Sequence, residues 1–155
     1  MTDQCAEVFE RHHLAVYRYL LRMTGRPDLA EDLTQEVFLR VLRGAAKYED
    51  RGTERAWVTR ITRNLLIDHR RKSKREPECA DVDAAGTAAP QDRDLALKQA
   101  LLTLQDGDRD ALLMRAVLGL GHDEIAELTG VTAAAVRSRI YRARRAIRPL
   151  LREGA

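Results

Sequence analysis

Between Glu76 and Asp94 the chain reads EPECADVDAAGTAAPQDRD, with two prolines, one glycine and Val82 as its only aliphatic side chain larger than alanine. Such a stretch cannot bury enough apolar surface to offset the entropy of ordering it. The 155 residues are therefore predicted to fold as two small domains, residues 1–75 and 95–155, joined by a flexible acidic linker over 76–94.

On both sides of the linker apolar residues recur at the helical period, and nowhere with period two, so the expected fold class is all-α. Hydrophobic residues make up 45% of the chain but aromatics only 5%, so the cores should be built from Leu, Ile, Val and Ala. The first helix carries Val8, Leu14, Tyr17, Leu20 and Leu21 near helical spacing and should stop at Gly25. Pro27 sits near the start of the next helix, which is expected over 28–43. Asp50 and Gly52 break the pattern before a third helix, RAWVTRITRNLLIDHRRK. Beyond the linker come LALKQALLTL, DRDALLMRAVLG, HDEIAELTG and a final helix beginning at Thr132.

The net charge of +3 hides an asymmetry, because basic residues gather at 69–75 and 137–152 while acid dominates 76–94. Separated basic blocks suggest a polyanion partner. Cys5 and Cys79 lack CxxC spacing and read as incidental thiols of a reduced, cytoplasmic chain. The N-terminus has no apolar signal-like run and no stretch approaches a membrane span, so no membrane insertion is expected.

Residues 122–151 have the pattern of a helix-turn-helix. Ile125, Ala126 and Leu128 give the first helix an apolar face, Gly130 suits the positive φ that ends it, and Val131 can fill the gap between the helices. Thr132 is a suitable N-cap for the second. Seven arginines fall between Arg137 and Arg152, yet Ala133, Val136, Ile140, Ala143 and Ile147 share one stripe. Arg137, Ser138, Tyr141, Arg142, Arg145 and Arg148 lie opposite, offering forked donors for guanine edges and extra cations for phosphates. A solvated basic helix is the plainer alternative. The segment GHDE is better explained by Glu124 favouring a helix N-terminus than by a metal, and neither metal nor cofactor is expected.

Along 28–43, Ala30, Leu33, Thr34, Val37, Phe38, Val41 and Leu42 are expected to be buried. Asp32, Gln35, Glu36 and Arg43 share the outward side with Leu39, a leucine ringed by polar groups as at the centre of a protein interface. In the third helix Trp57, Val58, Ile61 and Leu65 form the core stripe. Arg60, Arg63, Asn64, Arg70 and Arg71 lie off it, and the basic run HRRKSKR suits a single-stranded nucleic acid.

Together AEDLTQEVFLRVLR, RAWVTRITRNLLIDHRRK and LGLGHDEIAELTGVTAAAVRSRIYRARRAIR resemble, in order, the polymerase-binding, −10-reading and −35-reading segments of an extracytoplasmic-function (ECF) sigma factor of the sigma-70 family. The resemblance makes the first domain sigma region 2 and the second sigma region 4. It implies docking of Asp32, Gln35, Glu36 and Leu39, with Arg43, on the β′ clamp coiled coil of core RNA polymerase, and of region 4 on the β flap. It places Arg60, Arg63, Asn64, Asp68, Arg70 and Arg71, with the loop Lys47–Arg55, at a melted −10 element. Arg137, Ser138, Tyr141 and Arg142, flanked by Thr132 and Arg145, would read the −35 duplex of promoter DNA. It also implies an anti-sigma partner and no catalysis by the chain itself. Ala134 and Ala135 stand where the family often has glycine and a hydroxyl residue, and Gly121 stands where it has Ser or Thr, which leaves a weaker cap. A free-standing helix-turn-helix regulator remains the alternative, although it would need neither the 28–43 face nor the basic third helix.

A linker of this length has an r.m.s. span of roughly 20–25 Å and stretches to about 60 Å. Reading two promoter elements therefore needs it extended, and deleting residues 80–89 would cut its reach to about half. That variant is expected to bind core polymerase and a −10 single strand but to lose transcription from normally spaced promoters. Run-off transcription checks this, with serine replacement of the linker acids costing much less.

Overall fold

The computed structural model describes residues 2–44, 53–75 and 92–153. Within them the chain forms seven α-helices and no strand: α1 (Thr2–Thr24), α2 (Pro27–Gly44), α3 (Glu54–Arg75), α4 (Asp92–Leu102), α5 (Asp106–Ala116), α6 (His122–Thr129) and α7 (Ala133–Glu153). The chain divides into two compact units, Met1–Ala85 and Gly86–Ala155. Residues 76–91 of the expected linker lie outside the described residues, and its last three, 92–94, already belong to α4.

In the first unit α1, α2 and α3 each pack on the other two. The core is aliphatic, as the composition demands, with Val8, Val16, Leu20 and Met23 of α1, Ala30, Leu33, Val37 and Val41 of α2, and Val58, Leu65 and Leu66 of α3. Tyr19 is the aromatic exception. Thr59 and Thr62 are also fully buried, without cost in unpaired hydroxyls. Thr59 donates to the Arg55 carbonyl and Thr62 to that of Val58, both at 2.8 Å. Gly25 ends α1 at φ 71°, its N–H donating to the Leu21 carbonyl at 2.7 Å, and Pro27 opens α2 where a missing N–H is harmless.

Two leucines depart from the expected phase. Leu14 is exposed because it lies two residues from Val16, about 160° around the helix from the buried stripe. Leu42, expected in the core, is 52% exposed. It sits about 140° from Val37 and thus joins Leu39 and Gln35 on the outward side of α2.

The start of α3 is fixed twice. Thr53 Oγ1 accepts the Ala56 N–H at 3.0 Å, an N-cap that sets the helix start one residue before Arg55. Glu54 then takes both arms of Arg11, Nε at 3.0 Å and Nη2 at 2.8 Å, and His12 Nε2 donates to it at 2.7 Å. This forked contact ties α1 to α3.

In the second unit α7 packs against α4, α5 and α6. Its stripe is buried where the period requires, at Val136, Ile140 and Ala143, against Leu101, Leu112, Leu113, Met114, Leu120 and Ile125. Arg109 is only 6% exposed, and its guanidinium donates to the carbonyls of Leu101 at 3.0 Å and Leu104 at 3.1 Å and to Asp106 at 3.0 Å. The Leu101 carbonyl also takes the Leu104 N–H at 3.2 Å, so the buried guanidinium adds a charged donor to the turn that closes α4.

The Arg11 hydrogen bond holds the Glu54 carboxyl below its ordinary range, with His12 adding to the effect against partial burial. A carboxylate depressed in the folded state adds stability above the ordinary Glu pKa of about 4.3 and loses it as pH falls through the folded value. Glu54→Gln is therefore expected to be less stable than the parent near neutrality and to converge with it in acid. Urea unfolding followed from about pH 7 to pH 3 checks this.

Candidate nucleic-acid and polymerase interfaces

The outer face of α7 is set by the turn in front of it. Gly130 adopts φ 75° and ψ 19°, its N–H donating to the Ala126 carbonyl at 2.9 Å. A side chain there would meet no atom within 4 Å, so the demand for glycine comes from the left-handed backbone alone. Thr132 Oγ1 accepts the Ala135 N–H at 3.1 Å, the expected N-cap. At the other end of the motif the Gly121 N–H donates to Glu124 Oε1 at 3.0 Å. Gly121 has no hydroxyl to return the bond, so half of a capping box is present.

With the stripe buried, Arg137, Ser138, Tyr141, Arg142, Arg145 and Arg148 all stand exposed. Tyr141 is 63% exposed, and Arg145 Nη1 lies 3.5 Å from its hydroxyl. A shallow groove runs over Ile140 and Pro149, walled by His122, Tyr141 and the guanidinium groups of Arg137, Arg144, Arg145 and Arg148. Thr132 is exposed but already serves its helix as a cap. Arg142 is not a loose side chain. It donates Nη2 to Asp108 Oδ1 at 3.0 Å and Nε to Oδ2 at 3.3 Å, and this carboxylate raises the arginine's pKa.

In the first unit α3 gathers Arg60, Asn64, Asp68 and Arg71 on one exposed side. Arg63 and Arg70 are half-buried, and Arg70 Nη2 donates to the Met23 carbonyl at 3.4 Å, bracing the end of α1. Arg70 is thus partly structural. The pKa of His69 is pushed down, by burial first and then by the neighbouring cations Arg26, Arg70 and Lys72. Positive potential of this kind favours a polyanion. Ile67, which the pattern had not singled out, is exposed within the same row as Arg60, Asn64 and Arg71. Lys47 and the rest of the loop to Gly52 lie outside the described residues.

On α2, Asp32, Gln35, Leu39 and Arg43 are exposed as expected, while Glu36 is half-buried and lies 3.7 Å from Arg40 Nε. Leu39, 46% exposed, and Leu42 form an apolar centre larger than the single leucine expected. Phe9 adds to the nearby exposed apolar surface, stacked on His13 and edge-on to Phe38 at 5.0 Å between centroids. Phase explains the omission of Leu42 and Ile67, since each sits next to a buried residue in sequence. Asp108 was invisible because its partner lies 34 residues away.

Two helical units, one bearing a capped helix-turn-helix with a basic outer face, define a DNA-binding protein. The Sigma-70 region 2 model matches residues 8–76 and the Sigma-70, region 4 model residues 94–147. The chain is 33% identical to the RNA polymerase sigma factor CarQ of Myxococcus xanthus, over 97% of this chain and 91% of that protein. It is 31% identical to the ECF RNA polymerase sigma factor SigM of Bacillus subtilis, over 96% and 95%. With the ECF sigma factor SigE of Mycolicibacterium smegmatis it shares 35% identity, spanning 60% of that protein's length. The fold is that of the sigma factor RpoE of Bartonella quintana, solved in complex with the anti-sigma factor NepR, at a TM-score of 0.80 and 23% identity over 98% of both chains. It is likewise that of CnrH, solved with the cytosolic domain of CnrY, at a TM-score of 0.72 and 22% identity over 100% of this chain and 92% of that one.

The chain belongs to the ECF RNA polymerase sigma factors of the sigma-70 family. Its class directs transcription initiation, and the free-standing regulator is set aside.

If the α2 face is an interface, its energy should sit in the exposed leucines. Leu39→Ala and Leu42→Ala are each expected to weaken binding to core polymerase by about tenfold or more, with unfolding free energies within about 0.5 kcal/mol of the parent. A titration against core polymerase, paired with thermal unfolding, checks both.

Proposed function

We propose that this chain is the promoter-specificity subunit of an RNA polymerase holoenzyme, acting in the cytoplasm and contributing recognition rather than catalysis. The observation that carries the reading is the exposed arginine face of α7 behind a fully formed helix-turn-helix, in one chain with the apolar-centred face of α2.

In this reading Leu39 and Leu42, rimmed by Asp32, Gln35, Glu36 and Arg43, seat on the β′ clamp coiled coil. The second unit meets the β flap. Arg60, Asn64, Asp68 and Arg71 follow the melted −10 strand, with Arg63 and Arg70 supporting them and Lys47 contributing from the segment before α3. Ile67 offers an apolar contact for an unstacked base. Arg137, Ser138, Tyr141 and Arg142 face base edges of the −35 element, while Thr132, Arg145 and Arg148 serve the phosphates. The exposed apolar surface of the first unit suits an anti-sigma protein that would compete with polymerase for it.

Reconstitution with core polymerase tests the reading, and promoter-specific transcripts are the expected result. Arg148→Ala is expected to weaken every promoter alike and to flatten the salt slope by about one unit. Arg142→Ala is expected instead to relax selectivity at about one base pair, costing roughly 1–3 kcal/mol there. A chain that binds duplex DNA but yields no specific transcript with core polymerase would overturn the function.

A further inference from the structure

The turn that begins α5, Asp106-Gly107-Asp108, lies against the flank of α7 that carries Arg139 and Arg142. Asp108 has a side chain only 12% exposed, while that of its partner Arg142 is 58% exposed. One carboxylate oxygen takes Nη2 at 3.0 Å and the other takes Nε at 3.3 Å, so the carboxylate grips the guanidinium side-on. Arg139, one turn earlier on α7, lies across Gly107, where a Cβ would come within 3.4 Å of its Cζ and Nη1. Arg139 thus covers the turn beside Asp108, so that turn meets two arginines of α7 in succession.

A guanidinium carries five N–H donors in a rigid plane. The grip of Asp108 uses one hydrogen on Nε and one on Nη2. It leaves the Nη1–Nη2 end, whose paired donors match guanine O6 and N7. An arginine held along one edge and free at the other has lost most of its rotamer choice before it meets DNA. We propose that Asp108 is a positioning residue for promoter selectivity, holding the Arg142 fork so that its free end addresses a guanine of the −35 element. This rests on the reading of α7 as the −35-recognition helix. Asp108 itself touches no DNA in this scheme, and the pair keeps Arg142 from wandering among phosphates, where it would add affinity without selectivity.

The test uses the full chain with core polymerase and a promoter library randomised over the −35 element, scoring base preference in the transcripts made. Arg142→Ala is expected to erase a guanine preference at one position, a loss of roughly tenfold or more. Asp108→Ala is expected to lower the same preference, and only that one, by about two- to tenfold, the value of holding one long side chain in place. Asp108→Asn keeps the shape and one acceptor, so it guards against a folding defect and should fall between the parent and Asp108→Ala. The double variant should lose no more than Arg142→Ala alone. A guanine preference that survives in both Asp108 variants while Arg142→Ala erases it would overturn the positioning role and leave the −35 reading intact. Losses spread over all positions and adding to those of Arg142→Ala would make Asp108 merely structural. If Arg142→Ala itself changed no preference, the reading of that face would fall, and the role of Asp108 with it.

Discussion

The corner between α4 and α5 is what the second unit depends on, and one buried guanidinium holds it. Arg109 reaches back to the carbonyls of Leu101 and Leu104 and closes on Asp106. Burying a charge is tolerable only when its hydrogen bonds are made, and here a carboxylate and two carbonyls make them. The consequence runs beyond the corner. Fixing the first turn of α5 fixes where Asp108 stands, and Asp108 in turn grips Arg142. A core contact is thereby connected, through two arginine–aspartate pairs, to the face proposed to read DNA.

The first unit solves a different problem with few means. Its three helices have an aliphatic core, so α1 and α3 are also joined at their exposed edge by the Arg11–Glu54 fork. Because Ala30, Leu33, Val37 and Val41 occupy a single stripe, α2 is left with a whole side to spare. That side carries Leu39 and Leu42, whose exposure has no folding benefit. These two leucines are the apolar centre on which the proposed polymerase contact rests.

The helices and the helix-turn-helix were legible because each rests on local rules. Gly25 and Gly130 were expected as stops and adopt positive φ, and Thr132 was expected as a cap and makes the bond. Phase was less secure than periodicity. Leu14 and Leu42 fit a loosely drawn apolar face, yet a shift of one or two residues is enough to place them in water. Buried Thr59 and Thr62 escaped notice since a threonine satisfied by its own helix looks polar in sequence and behaves as small and apolar in a core. Contacts between distant residues were out of reach altogether, among them Glu54 with Arg11, Arg70 with the Met23 carbonyl, and Asp108 with Arg142.

Charge placement ties these features together. A net charge of +3 is small for a protein proposed to hold two stretches of nucleic acid. The acids, however, are not scattered as simple counterweights. Those between residues 76 and 94 form a block of their own along the sequence, apart from the basic runs at 69–75 and 137–152. Asp106 and Asp108 are spent inside the second unit, one closing on buried Arg109 and the other restraining an exposed arginine. Phosphate affinity needs only cations near a surface, and α7 has several to supply it. Selectivity needs a donor fork that arrives in one orientation, because a base edge is a pattern and not merely a charge. An acid beside the recognition helix lowers the first quantity and raises the second. For a subunit whose task is to choose among promoters rather than to hold DNA tightly, that exchange runs in the useful direction.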